Sequence, residues 1–255
     1  MELIKGVLKM KKLLLVAGAL FLSSAVSFAG AHWGYTGKGA PQYWGDLSPE
    51  YRLCKEGKNQ SPVDISEEST VKACLYPIEV NYSKGASYVL NNGHTIKVVV
   101  KGKENYVLID GKKFYLKQFH FHAPSEHTVN GEHYPFEAHF VNVDKEGNIA
   151  VLGVFFKVGA PNPEIEKVWY AMPSQVGQKR KLKHTVNIGD LLPDNRDYYR
   201  YSGSLTTPPC TEGVRWIVFK EPLEISQEQL DRFQKTLGVK NNRPVQPINA
   251  RKVMK

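Results

Sequence analysis

A chain of 255 residues that is 42% apolar and 23% charged can bury a sizeable core and is neither low-complexity nor fibrous. Its formal charge of +9 comes without a basic stretch interleaved with aromatics, which sets aside nucleic-acid binding. Lys5, Lys9, Lys11 and Lys12 precede an apolar run over 13–22, and small residues follow at Ser27, Ala29 and Ala31. That order predicts a secretory signal peptide over 1–29, cleaved after Ala29 or Ala31, with Met10 as an alternative start. The apolar run is shorter than the roughly 20 residues a spanning helix needs, so no membrane span is expected after cleavage. An exported protein, periplasmic or secreted, follows from this reading, and loss of four lysines and one glutamate takes the charge from +9 to +6.

The remaining 30–255 carry no repeat or linker and predict a single domain. β-Branched and aromatic runs over 95–100, 106–109, 113–122, 135–143, 149–158 and 214–219 are punctuated by Gly, Asn and Asp, the pattern of a strand-rich fold. A short helix is predicted from Asn162 as N-cap and Pro163 in the first turn, through Ile165, Val168 and Trp169. A second begins at Ser226 with Gln229 three residues on, presents Leu230, Phe233 and Leu237 on one face, and stops at Gly238. The expected architecture is mainly β with peripheral helices around a large, mostly antiparallel twisted sheet.

His120 and His122 lie two apart in a predicted strand, so both rings project from one face while Phe119 and Phe121 project from the other. His139 is on the next predicted strand, and a hairpin through Asn130-Gly131 would set it beside them. Three imidazoles suit a zinc ion and leave one tetrahedral position open, as catalytic zinc sites require. Gln118 and Glu137 share the faces of His120 and His139 and are placed to fix their tautomers. Val141 shares the His139 face. On spacing alone other readings stay open: a His-x-His pair as surface decoration, or His120-x-His122-x-x-x-Glu126 as a cupin-like iron or manganese site in which the carboxylate is a ligand.

The segment Tyr201-Ser202-Gly203-Ser204-Leu205-Thr206-Thr207-Pro208-Pro209-Cys210, with Glu212-Gly213-Val214-Arg215-Trp216 after it, resembles the active-site segment of α-carbonic anhydrases. His32-Trp33-Gly34-Tyr35, Gln60-Ser61-Pro62-Val63-Asp64-Ile65, Asn91-Asn92-Gly93-His94, Val151-Leu152-Gly153 and Asn242-Arg243-Pro244-Val245-Gln246-Pro247 match in order. The resemblance therefore covers nearly all of 30–255. It implies zinc on His120, His122 and His139, and reversible hydration of carbon dioxide to bicarbonate and a proton by a metal-bound hydroxide. Thr206 would accept a hydrogen bond from that hydroxide and donate its own proton to Glu126, and Thr207 would neighbour bicarbonate. Val151, Leu205, Val214 and Trp216 would join Val141 in an apolar wall for carbon dioxide. His94 matches the family's proton shuttle, and His127 a structural histidine.

Lys97 departs from the pattern, since an asparagine often orders pocket water at that position. A cation there is expected to disturb the water chain or lower the His94 pKa. The resemblance also implies a Cys54–Cys210 disulfide and cis peptide bonds at Ser61-Pro62 and Pro208-Pro209. Cys74 is then the odd thiol, either buried or linking copies into a homodimer or larger assembly. A noncatalytic relative would be expected to have lost a zinc histidine, and none is lost here.

Overall fold

The computed structural model describes residues 32–255; the signal segment expected over 1–29, with Ala29 and Ala31, lies outside the described residues. In chain order the strands are β1 (Asp64–Ile65), β2 (Glu79–Asn81), β3 (Ala86–Asn91), β4 (Ile96–Val100), β5 (Tyr106–Ile109), β6 (Lys112–His122) and β7 (Thr128–Val129). They continue as β8 (Glu132–His133), β9 (Phe136–Val143), β10 (Ile149–Val158), β11 (Lys179–Lys181), β12 (Tyr198–Ser204), β13 (Glu212–Phe219) and β14 (Leu223–Ile225). The α-helices are α1 (Trp44–Leu47), α2 (Leu53–Glu56), α3 (Pro163–Tyr170) and α4 (Gln227–Leu237). No described helix is long and apolar enough to cross a membrane.

An 11-stranded sheet runs in the order β11-β3-β4-β6-β9-β10-β13-β12, with β5, β2 and β14 attached beside it. Its pairs are antiparallel except β10 with β13 and β10 with β14. Alternation along each strand gives the sheet two apolar faces. Phe119, Phe121, Phe136, Phe140 and Leu152 face the larger core, which α3 and α4 cover with Trp169 and Phe233. Each such side chain, fully buried, contributes on the order of 1.5–3 kcal/mol. Val151, Phe155, Val214 and Trp216 face the smaller core on the opposite side, the side that carries the histidines.

Helices α3 and α4 begin on their predicted N-caps, and α4 ends on its predicted stop. The Asn162 side chain accepts from the N–H groups of Glu164 and Ile165. Ser226 and Gln229 form a reciprocal capping box, and Gly238 closes α4 at φ 69°, a left-handed position that glycine takes without a Cβ penalty.

Two features differ from the sequence expectation. Asn130 and Gly131 do form a turn with positive φ, but it joins β7 to β8, a small hairpin that pairs with β1 in a separate three-stranded sheet. β6 and β9 are neighbours across this longer excursion instead of a tight hairpin.

The second difference is a register shift in β6 between Leu116 and Gln118. Phe114 and Leu116 face the large core before it, and Phe119 and Phe121 after it. Exposed Lys117 is the extra residue, and one extra residue exchanges the two faces of everything downstream.

Candidate metal centre and active site

β6 and β9 pair so that His120 lies directly opposite His139, and His122 opposite Glu137. One nitrogen from each of His120, His122 and His139 lies within 4.8 Å of the others. The outer nitrogens are all engaged. His120 Nδ1 is 2.9 Å from Gln118 Oε1, His122 Nδ1 is 2.7 Å from the Asn241 carbonyl, and His139 Nε2 is 2.7 Å from Glu137 Oε1. Each partner is an acceptor, so each outer nitrogen carries the hydrogen and each inner nitrogen presents a lone pair. His122 Nε2 is buried and has no hydrogen-bond partner. Three converging lone pairs fit a divalent cation, and imidazole suits zinc.

Burial sets the proton affinities here. His120 is held well below its ordinary pKa by desolvation first, then by His122, His139 and Lys97. His122 is lowered mainly by desolvation. Desolvation also acts on His139, but Glu137 outweighs it and raises that ring's pKa.

Glu137 is the hub beneath the centre. Its Oε1 accepts from His139 and, at 2.8 Å, from His127 Nδ1, while Oε2 accepts the backbone N–H groups of Glu126 and His127 at 2.8 and 3.0 Å. Desolvation would raise this carboxyl, yet the attraction and hydrogen bonds of His127 and His139 hold it well below the usual range. His127 is 2.7 Å from the Tyr201 hydroxyl, which donates to Ser61 Oγ. His127, Glu137 and His139 also lie close enough for a metal, but these mutual hydrogen bonds already satisfy them.

Glu126 is fully buried, with Oε1 accepting the Arg243 backbone N–H at 2.8 Å. Its Oε2 has no hydrogen-bond partner and stands 3.5 Å from His122 Nε2 and 3.7 Å from His139 Nδ1. The hydrogen bond that the resemblance implies from Thr206 to Glu126 is not made to Oε2, which turns toward the two imidazoles instead. Thr206 is buried in the loop between β12 and β13. That loop is fixed at several points: Cys54–Cys210 is a disulfide with Cα atoms 5.0 Å apart, Gln60 Nε2 donates to the Cys210 carbonyl, and Pro208-Pro209 is cis. Cys210 itself sits at φ 57°, a conformation a non-glycine residue holds only when its surroundings enforce it. Ser61-Pro62 is cis as well, and so is Ala123-Pro124, which the sequence reading did not anticipate.

A cavity of about 140 Å³ opens onto His120 and His122 and is lined also by Trp33, His94, Lys97 and Thr207. His94 stacks on Trp33 with centroids 3.7 Å apart and planes 8° from parallel. Its pKa is lowered by partial burial and then by His32, so the influence expected of Lys97 falls on His120 instead. Val151, Val214 and Trp216 are buried in the smaller core, with half-buried Val141 and Leu205 against them. The Trp216 ring packs edge-on to His139 at 4.8 Å. Cys74 is exposed, which removes burial as its fate.

Sequence reasoning missed Asn241. Its carbonyl orients His122, its Oδ1 accepts from Ala123 N–H, and its Nδ2 donates to the His94 and Phe121 carbonyls. It lies in an irregular segment 119 residues from His122, where no periodicity signals a role. Arg243 carries a signal in the sequence only as part of the Asn242-Arg243-Pro244 motif. Its buried guanidinium donates to Gln60 Oε1 and to the Ser61 and Cys54 carbonyls, joining the N-terminal segment to the site.

The family model for eukaryotic-type carbonic anhydrases matches residues 39–255. A carbonic anhydrase of Klebsiella pneumoniae is 46% identical over 237 residues, which are 92% of this chain and 95% of that one. Among solved structures, the α-carbonic anhydrase of Thermovibrio ammonificans, in complex with the inhibitor sulfanilamide, is 70% identical with a TM-score of 0.87, covering 89% of this chain and all of that chain. A hyperthermostable carbonic anhydrase from a hydrothermal vent chimney is 59% identical with a TM-score of 0.84, over 88% of this chain and 99% of that one. With the family pattern running through both the sequence and the histidine face of the sheet, the chain belongs to the α-class, eukaryotic-type carbonic anhydrases, enzymes whose general activity is the hydration of carbon dioxide.

Proposed function

We propose that this chain is an exported zinc enzyme that interconverts carbon dioxide and bicarbonate, with zinc on His120, His122 and His139. The supporting observation is the convergence of three lone-pair nitrogens whose outer N–H groups are already spoken for by Gln118, Asn241 and Glu137. A zinc ion supplies a Lewis acid that brings the pKa of water to about 7, so that a hydroxide nucleophile exists at neutral pH; carbonic anhydrase is the standard illustration of this effect.

The protein's own groups do the rest. Gln118, Asn241 and Glu137 hold the imidazole tautomers. Glu126 offers Thr206 an acceptor, and a Thr206 hydroxyl committed to that carboxylate can only accept a hydrogen bond from the nucleophile, which leaves a reactive lone pair free. This arrangement requires Glu126 Oε2 to turn from the imidazoles toward Thr206. Val141 and Leu205, with Val151, Val214 and Trp216 behind them, give carbon dioxide an apolar wall, and Thr207 stands beside bicarbonate. His94 at the pocket mouth carries the product proton between pocket and buffer. The Cys54–Cys210 bridge, formed on export, keeps the Thr206 loop in register.

Metal analysis with a stopped-flow hydration assay tests this reading. One zinc per chain with rapid hydration is expected. A folded protein that takes up zinc without hydrating carbon dioxide, or that prefers iron or manganese with Glu126 as a ligand, rules it out.

A further inference from the structure

The sheet assembles a set of cations that no stretch of sequence displays. Lys97 lies directly opposite His120 on the neighbouring strand, Leu90 opposite Lys97, and Lys179 opposite Leu90. Directly opposed residues share a face, so these four make one row from the metal centre to the sheet edge. Beside the row, Lys179 Nζ and Lys101 Nζ stand 3.9 and 5.0 Å from the centroid of the Tyr88 ring. The lysines in ion pairs among the described residues are Lys55, Lys157, Lys167 and Lys255, so the charges of Lys97, Lys101 and Lys179 are not neutralised by a carboxylate. Around the cavity the other groups are aromatic rings, amides, hydroxyls and imidazoles, and Lys97 is the one lysine or arginine lining it.

We propose that Lys97, backed by Lys101 and Lys179, is an anion subsite that holds bicarbonate and other small monovalent anions at the pocket mouth beside His120. This rests on the carbonic anhydrase reading of the site. Strands about 4.8 Å apart put Lys179 roughly 10 Å from Lys97, close to one Debye length at physiological salt. The outer lysines therefore act mainly at low salt, and Lys97, the nearest to the metal centre, keeps its effect to higher salt. A unit charge about 7 Å away in a water-like dielectric enriches a monovalent anion about threefold.

The reaction equilibrium fixes the ratio of kcat/KM for hydration to kcat/KM for dehydration, so the subsite does not favour a direction in that ratio. Its signature is anion affinity: a lower KM for bicarbonate matched by a lower kcat for dehydration, and stronger product inhibition of hydration.

The test uses the mature protein with cobalt in place of zinc and follows the visible spectrum during titration with thiocyanate as the probe anion. At about 0.01 M ionic strength, where the Debye length is about 30 Å, Lys97→Gln should raise the thiocyanate Kd about threefold and Lys97→Glu about tenfold, with Lys97→Arg close to the parent. Lys101→Gln combined with Lys179→Gln should raise it about twofold, an effect that disappears near 0.2 M. An unchanged Kd in Lys97→Gln with an unaltered starting spectrum overturns the subsite, as does a Lys97→Arg variant that behaves like Lys97→Gln. A parent protein that takes up no cobalt overturns the metal reading itself, and the subsite with it.

Discussion

Glu137→Gln removes one charge and one acceptor oxygen from the most heavily used carboxylate near the site. Glu137 accepts four hydrogen bonds, two from imidazoles and two from backbone N–H groups. A glutamine satisfies one pair and turns its NH2 against the other. Hydrogen bonds to a charged group are worth about 1.5–3 kcal/mol each, so losing two should cost about 3–6 kcal/mol in a fold whose total stability is on the order of 5–15 kcal/mol. The acceptor that keeps the proton on His139 Nε2 is weakened at the same time, and zinc affinity should fall about 10–100-fold. Urea unfolding of the apo and zinc-loaded proteins measures the first effect, and competition with a chelator the second. Because the Glu137 pKa is held well below its ordinary 4.5, its stabilisation is present above 4.5 and is lost as pH falls through the depressed value. The difference between parent and variant should therefore persist at neutral pH and shrink only in acid. A Glu137→Gln protein with parental urea midpoint and a zinc Kd within about twofold of the parent refutes the hub role.

Thr206→Ala should retain zinc and lose about 10²-fold in hydration, the scale of one oriented hydrogen bond in a transition state; an unaltered rate excludes Thr206 from the mechanism. His94→Ala should lower kcat with kcat/KM preserved and be rescued by imidazole buffers, and since burial and His32 hold its pKa below 6.5, the limb it controls should lie on the acid side of 6.5. Equal loss in both parameters without rescue assigns proton export to another route. Peptide mapping without reduction should recover Cys54 joined to Cys210 and, after oxidation, Cys74 joined to Cys74 of a second copy; a thiol at Cys74 that stays free under oxidation argues against a covalent dimer.

The legible parts of the structure were those with local or periodic causes. The caps of α3 and α4 could be read because Asn162, Pro163, Ser226, Gln229 and Gly238 act within one or two helical turns. The pairing of Gln118 with His120 and of Glu137 with His139 followed from strand alternation, which places i and i+2 on one face. Asn241 and the Arg243 guanidinium were not legible in this way. Their contacts reach back 118 to 189 residues from an irregular segment, and nothing periodic connects the partners. The Lys97, Lys101, Tyr88 and Lys179 cluster was hidden for a related reason: its members are unremarkable in three separate stretches, and only the pairing of β11, β3 and β4 makes them neighbours.

The bulge in β6 shows how a single residue decides whether there is a site at all. Phe114, Leu116, Phe119 and Phe121 all belong to the large core, yet two sit at even positions and two at odd ones, which an unbroken strand cannot place on one face. Read without interruption, Phe114 and Leu116 would share a face with His120 and His122, and either the phenylalanines or the histidines would be misplaced. Lys117 resolves the conflict by standing outside the ladder, between two segments that each alternate correctly. The change of parity is visible in the sequence as two apolar residues three apart, Leu116 and Phe119, inside a run otherwise spaced by two. That irregularity coincides with the start of Gln118-Phe119-His120-Phe121-His122. The same strand thus turns its apolar side into the large core from Phe114 to Phe121, where Phe121 meets Trp169 of α3 and Phe233 of α4, while only its last residues, after the bulge, present ligands to the opposite side. Deleting Lys117 leaves composition and charge nearly unchanged but forces His120 and His122 into the apolar face or expels Phe114 and Leu116 from it, so the metal centre and the core cannot both survive the loss.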